Sequence, residues 1–246
     1  MSQVQTVNDK LLLIVGKSAT GKSRALKNLK NPSGVLYLNC ESGKKLPFKS
    51  GFKEHIISDF RLVANAFIWA EKPEQANIHT IVVDSLTYWL DMVESQLVLT
   101  SANTQQAWGQ FAQTFKNLMQ VQVATSTKNV IFLAHTKDEV NETEMVREVF
   151  VPVKGALKNQ GIESYFSQVI STKKVQLRDL EEYTNPLLTI TDRERKLGYK
   201  HVFQTMVTEK TVNERIRGPE DLFTDAETFI DNDAQLVLDR LNQYYA

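Results

Sequence analysis

The sequence predicts an α/β fold, a mostly parallel sheet with helices on both faces and an antiparallel C-terminal extension, and three observations carry the prediction. Four short runs, "LLLIV" (11–15), "GVLYLN" (34–39), "TIVVDS" (80–85) and "NVIFLAH" (129–135), are apolar and rich in β-branched residues without polar alternation, as strands covered on both faces require. Between them lie segments whose apolar residues recur at helical spacing. Beyond about residue 168, strand-like runs are broken by charged turns, the texture of antiparallel pairing.

Taken in order, "LLLIV" leads into "GKSATGKS" (16–23), and the Lys-, Leu- and Ala-containing residues that follow are expected to open a helix. "GVLYLN" supplies the next strand. "DFRLVANAFIWAEK" is expected to be helical, with Phe60, Val63, Phe67 and Ile68 on its apolar face. After "TIVVDS", the stretch "TQQAWGQFAQTFKNLMQVQV" places Trp108, Phe111, Phe115 and Leu118 three or four apart, a core-facing helix stripe. "NVIFLAH" follows. "SQVISTKKVQLRD", "PLLTITDRER" and "YKHVFQTMVTEK" then read as strands separated by charged turns that include Asn185-Pro186 and Gly198, and "DAQLVLDRLNQYY" closes as an amphipathic helix. No repeat or Pro/Gly-rich linker divides the chain, so one domain is expected over 1–246, with a core at about 10–170 and an extension at about 171–246.

Composition narrows the function classes. The 246 residues are 42% hydrophobic, ordinary for a globular protein, and 29 Lys+Arg balance 29 Asp+Glu, so any contact with nucleic acid depends on a local patch rather than a bulk field. Cys40 is alone and cannot form an internal disulfide, and no charged-then-apolar leader opens the chain. No run approaches the roughly twenty apolar residues of a membrane span. The expectation is a cytoplasmic protein with no membrane partner. His55, His79 and His201 show no metal-ligand spacing.

The chemistry concentrates in "GKSATGKS". The spacing G-x-x-x-x-G-K-S sets Gly16 and Gly21 where a side chain would block the backbone, so that successive N–H groups converge on phosphate oxygens at the start of the next helix. Gly16, Lys17, Ser18, Ala19, Thr20, Gly21, Lys22, Ser23 and Arg24 are thus the candidate ATP-binding residues. Lys22 is suited to neutralise the β- and γ-phosphates, and Ser23 to place a hydroxyl on Mg²⁺. The stretch predicts ATP and Mg²⁺ as cofactors.

Three strand ends supply partners. Asp84, at the end of "TIVVD", is placed to hold the metal, at the edge where sites of parallel sheets collect. Glu41, after "VLYLNC", is the candidate to orient or deprotonate the attacking water. His135 ends "NVIFLAH", where an imidazole serves either as a γ-phosphate contact or as a polar cap on a buried strand.

Together, "GKSATGKS", "LYLNCES", "TIVVDS" and "VIFLAH", in this order and spacing, resemble the ATPase core of the RecA-like recombinases over roughly residues 10 to 217, and most of all the compact RecA-like ATPases of bacteriophages, which include single-strand annealing proteins. The resemblance implies a RecA-like P-loop NTPase fold in which Glu41 is the catalytic base, Asp84 assists Mg²⁺ and His135 senses the γ-phosphate; His at that position is similar to the phage branch. It also implies loops that bind single-stranded DNA, here the region after Leu86 and the stretch "TKDEVNETEMVREVFVPVKGALKNQG". That stretch offers Lys137, Arg147, Lys154 and Lys158, with Phe150 as an aromatic platform, but also Asp138, Glu139, Glu142, Glu144 and Glu148, so a DNA contact and a solvated flexible loop both fit.

From the same resemblance, a basic residue of a neighbouring subunit reaches the γ-phosphate, and "MVTEKTVNERIRGPEDLF" offers Lys210, Arg215 and Arg217. Only nine residues precede Lys10, so the N-terminal polymerisation element of full-length recombinases is not expected, nor is a separate C-terminal DNA-binding domain after the extension; besides a filament, a ring, a short oligomer and a partner-dependent assembly all fit. The expected function is a Mg²⁺-dependent, DNA-stimulated ATP hydrolase acting on single-stranded DNA in recombination, annealing or repair, in host cytoplasm if phage-encoded, with a homo-oligomeric state and a single-stranded DNA-binding protein as partners. The alternatives are a replicative-helicase-type motor, a small-molecule kinase, and a nucleotide-gated loader with little turnover.

Overall fold

The computed structural model describes residues 8–142 and 145–246. Its main sheet has eight strands in the order β10-β9-β8-β1-β5-β4-β2-β3. The four apolar runs form β1 (Leu11–Gly16), β2 (Val35–Asn39), β4 (Thr80–Asp84) and β5 (Asn129–His135), all parallel, and the short edge strand β3 (Lys53–Ile56) adds to β2 in the same sense.

The lack of polar alternation now has its physical reason, because side chains on successive positions enter two separate cores. Leu11, Leu13, Val15, Ile81, Val83 and Phe132 join one cluster with Phe67 of α1 (Arg61–Ala70), Trp89 of α2 (Leu86–Val93) and Phe111 and Phe115 of α3 (Thr104–Asn117). Leu12, Ile14, Tyr37, Val82 and Leu133 join the other with Ala25, Leu26, Val237 and Leu241. In α1, Val63 and Phe67 are buried as expected, but Ile68 is 55% exposed, since one residue beyond Phe67 turns about 100° off the buried face.

Three expectations are corrected. The residues after the glycine stretch make only a six-residue 3₁₀ helix, Ser23–Asn28, which ends where Leu29 swings to ψ 126°; left-handed Asn31 and Pro32 beyond it start a separate turn. The stretch 136–161 is not a long loop: β6 (Lys137–Asn141) and β7 (Val146–Phe150) form an antiparallel hairpin, followed by the short helix α4 (Leu157–Gln160). Thr143 and Glu144 lie outside the described residues, as do residues 1–7.

The third correction concerns "PLLTITDRER". It pairs in no sheet; Thr191 caps α5 (Asp192–Leu197) through a reciprocal box with Glu194, while Leu188 and Ile190 pack into a satellite cluster. Around it the extension forms as expected: β8 (Gln168–Gln176) runs parallel to β1 and antiparallel to β9 (Tyr199–Gln204), β9 pairs antiparallel with the unpredicted three-residue β10 (Phe229–Asp231), and α6 (Ala234–Tyr244) closes the second core. Among the described residues no helix is long and apolar enough to cross a membrane.

Candidate nucleotide site

The C-terminal ends of β1, β2, β4 and β5 are adjacent, and the sequence places a chemically distinctive residue at or just beyond each. Gly16 ends β1 in register with His135. A Cβ on Gly16 would stand 2.7 Å from Thr20 Oγ1 and 3.0 Å from the Thr172 carbonyl, so the turn closes only around glycine. Gly21 has φ +110°, and its Cβ would meet Asn232 Nδ2 at 2.5 Å.

Lys22 lies inside this loop. Its ammonium donates to the carbonyls of Gly16 (2.9 Å) and Lys17 (2.8 Å) and stands 3.3 Å from His135 Nδ1. Burial lowers its pKa to about 8, against the opposing pull of Asp84 and Glu41.

Ser23 Oγ donates to Asp84 Oδ2 at 2.9 Å, and Tyr37, reaching across from β2, donates its hydroxyl to the same oxygen at 2.7 Å. Asp84 is almost fully buried, and burial raises its pKa. Its other oxygen, Oδ1, is buried with no partner among the described residues. An unused buried carboxylate oxygen beside a serine hydroxyl is a hard-oxygen donor set that fits Mg²⁺, an ion commonly held by one or two protein oxygens together with substrate phosphates. Among the described residues no cluster of three or more His, Cys, Asp or Glu offers another metal centre.

Glu41 follows β2. Positive φ at Ser42 (54°) and Gly43 (78°) turns the chain back so that Lys44 Nζ donates to Glu41 Oε2 at 2.7 Å. Glu41 Oε1 lies 3.3 Å from His135 Nε2. The His135 hydrogen bond first, and Lys44 after it, hold the Glu41 carboxyl at a pKa of about 2, against the cost of its burial. With the Lys22 ammonium donating to Nδ1, the His135 proton resides on Nε2 and points at Glu41.

Gly21, Lys22, Ser23, Tyr37, Glu41, Lys44, Asp84 and His135 line one cleft of about 800 Å³, together with Ser18, Ala19 and Arg24 of the glycine stretch, while Gly16 and Thr20 stand outside its lining. Lys17 faces away from it and pairs with Asp138 of the hairpin at 2.7 Å. The expected DNA-facing cations stand elsewhere and most are engaged: Lys137 with Glu139 (2.5 Å), Arg147 with Asp138, and Lys154 with Glu94 (2.5 Å). Lys158 lines a small groove of about 230 Å³ beside Phe150 and Arg215. Arg215 pairs with Glu163 at 3.1 Å, while Lys210 and Arg217 are exposed, and none of these three lines the nucleotide cleft.

Sequence reasoning missed Tyr37 and Lys44, and missed His201 and Asn232, which contact the loop from the extension. Tyr37 left a signal, as the one polar-tipped side chain inside "VLYL", and Lys44 left one as a cation three residues after Glu41; His201 and Asn232 left none, because only the folded sheet brings them near.

A comparison with curated proteins finds no match. Among solved structures, the crystal structure of the RadB recombinase is similar at 16% identity, covering 69% of this chain and 77% of that one, with a TM-score of 0.36. The sequence profile of the AAA domain family matches residues 8–212, a span that begins before β1 and contains the glycine stretch and all three acid- or histidine-bearing strand ends. The chain therefore belongs to the AAA domain family, its glycine stretch and strand-end acids carried on a largely parallel α/β sheet.

Proposed function

We propose that the protein hydrolyses ATP in this cleft and uses the nucleotide state to control binding of single-stranded DNA in recombination, annealing or repair. The observation that carries the reading is the convergence of Lys22, Ser23–Asp84, Glu41 and His135 from four adjacent strand ends on one cleft. Residues 16–24 hold the triphosphate through main-chain amides, with Lys22 against the β- and γ-phosphates. Ser23 and Asp84 would hold Mg²⁺, which when bound would supply positive charge against the phosphate oxygens.

Glu41, ionised down to a pKa of about 2, is a poor proton acceptor and a good hydrogen-bond acceptor, so its role is to orient the attacking water rather than to store its proton. In-line attack forms the new P–O bond, the bond to the β–γ bridging oxygen breaks, ADP leaves, and the water proton departs with inorganic phosphate. His135, between Lys22 and Glu41, registers the γ-phosphate and passes its loss to β6, which begins two residues later.

The hairpin and α4 region, with Lys137, Arg147, Lys154 and Lys158, is the DNA-facing surface of this reading, and the likeness to phage RecA-like ATPases supports a single domain working as a ring or filament, with Lys210, Arg215 or Arg217 supplied to a neighbour's cleft. A second reading, a nucleotide-gated loader for another protein, is favoured by the pairing of Lys137, Arg147 and Lys154 with acids, which leaves little free positive charge on that surface. Phosphate release measured with single-stranded DNA, with duplex DNA and without DNA, beside Lys22→Ala, separates the two. The first reading expects turnover highest with single strands and abolished by the substitution; equal rates in all three conditions contradict it.

A further inference from the structure

We propose that His201 and Asn232 are positioning residues of the nucleotide site, side chains of the C-terminal extension that hold the Thr20 and Gly21 carbonyls and so aim the next two amides at the phosphates. The inference rests on the reading of 16–23 as a phosphate cradle. His201 Nδ1, on β9, lies 2.8 Å from the Thr20 carbonyl oxygen, and since a carbonyl can only accept, Nδ1 carries the proton. Asn232, in the turn between β10 and α6, donates Nδ2 to the Gly21 carbonyl at 2.9 Å. From β8, Thr172 Oγ1 bonds the Thr20 hydroxyl at 2.5 Å. Three neighbouring segments of the extension thus grip two consecutive residues of the loop.

The peptide plane explains why this matters. A trans peptide is rigid, with its N–H and C=O on opposite sides. Holding the Thr20 carbonyl toward β9 fixes the N–H of Gly21 on the opposite side, and the Gly21 carbonyl, held by Asn232 together with the Ala25 N–H (3.0 Å), does the same for the N–H of Lys22. Gly21 sits at φ +110°, a conformation that the loop must be held in, and Asn232 Nδ2 fills the space that the missing Cβ leaves. His201 and Asn232 both line the cleft itself, so the clamp borders the space the nucleotide enters.

The test is calorimetric titration with ADP of wild-type protein, His201→Phe, His201→Asn and Asn232→Ala. His201→Phe keeps the ring and loses the donor; His201→Asn returns an N–H near the position of Nδ1. Losing one such hydrogen bond is expected to weaken ADP roughly five- to ten-fold in His201→Phe and in Asn232→Ala, with His201→Asn restored to within about two-fold of wild type by the regained donor. If His201→Phe does not fold, His201→Ala against His201→Asn reads the same contrast. Unchanged affinity in the donor-less variants, or His201→Asn as weak as His201→Phe, overturns the inference while wild-type binding stands. Wild-type protein that binds no ADP contradicts the nucleotide-site reading and takes the inference with it.

Discussion

His135 Nε2 stands 3.3 Å from Glu41 Oε1, joining the ends of β5 and β2 across the intervening strand β4. The contact is the largest cause of the low Glu41 pKa, about 2 against an ordinary 4.5. A carboxyl depressed in the folded state adds stability that is fully present above its ordinary pKa and is lost as pH falls from 4.5 through about 2. Within the working range Glu41 is therefore always a carboxylate, and the pH–rate profile is expected to show no acid limb from it between about pH 5 and 9. Glu41→Gln is expected to lower kcat by about 10²- to 10⁴-fold, because a neutral amide orients water poorly. A loss of under ten-fold would remove Glu41 from the chemistry.

Lys22 makes the opposite prediction at the alkaline end. Its pKa of about 8 lies below the ordinary 10.5, so the buried ammonium costs folding stability below pH 8, and the cost is relieved as pH rises from 8 to 10.5. Polyphosphate binding needs the charged form. ATP affinity is expected to be flat below pH 8 and to fall about ten-fold per unit above it, as measured by titration at a series of pH values. Affinity that stays flat to pH 10 contradicts the assignment.

Asp84 is held for function against stability. Burial raises its pKa, so its charged form costs stability from its ordinary 3.8 upward, in full above the raised value. Asp84→Asn is expected to melt higher than wild type at pH 7 without nucleotide, with the gap closing toward pH 4, while ATP binding loses its dependence on Mg²⁺. A lower melting temperature at pH 7 would show that the carboxylate stabilises the fold after all.

Asp138 receives both Lys17 of the glycine stretch and Arg147 of the hairpin. Both cations are largely exposed, so Asp138→Ala is expected to cost no more than about 1 kcal/mol in chemical denaturation. It frees two positive charges beside the hairpin. Single-stranded DNA is expected to bind roughly two- to ten-fold more tightly, with a steeper dependence on salt. Weaker binding would mean that the ion pairs build the DNA surface rather than mask it.

What was legible followed from burial. β1, β2, β4 and β5 are covered on both faces, so their runs are almost wholly apolar, and the sharp residues Asp84 and His135 mark where β4 and β5 end. The hairpin was illegible for the converse reason: β6 and β7 have no fully buried position, so "KDEVN" and "VREVF" carry no apolar face, and their charges pair with one another instead. In "PLLTIT", apolar residues pack into a satellite cluster without pairing in the sheet, and apolar content alone does not tell these apart. The site divided likewise. Groups on the glycine stretch and core strand ends were readable from local spacing, whereas His201 and Asn232 meet residues 20 and 21 only through the antiparallel fold of the extension.

The most direct measurement is equilibrium titration of the purified protein with ATP in the presence and absence of Mg²⁺, beside Lys22→Ala. Saturable binding that Mg²⁺ strengthens and the alanine abolishes is the expected result. No affinity for ATP in the wild-type protein, with or without the ion, would contradict the account at its root.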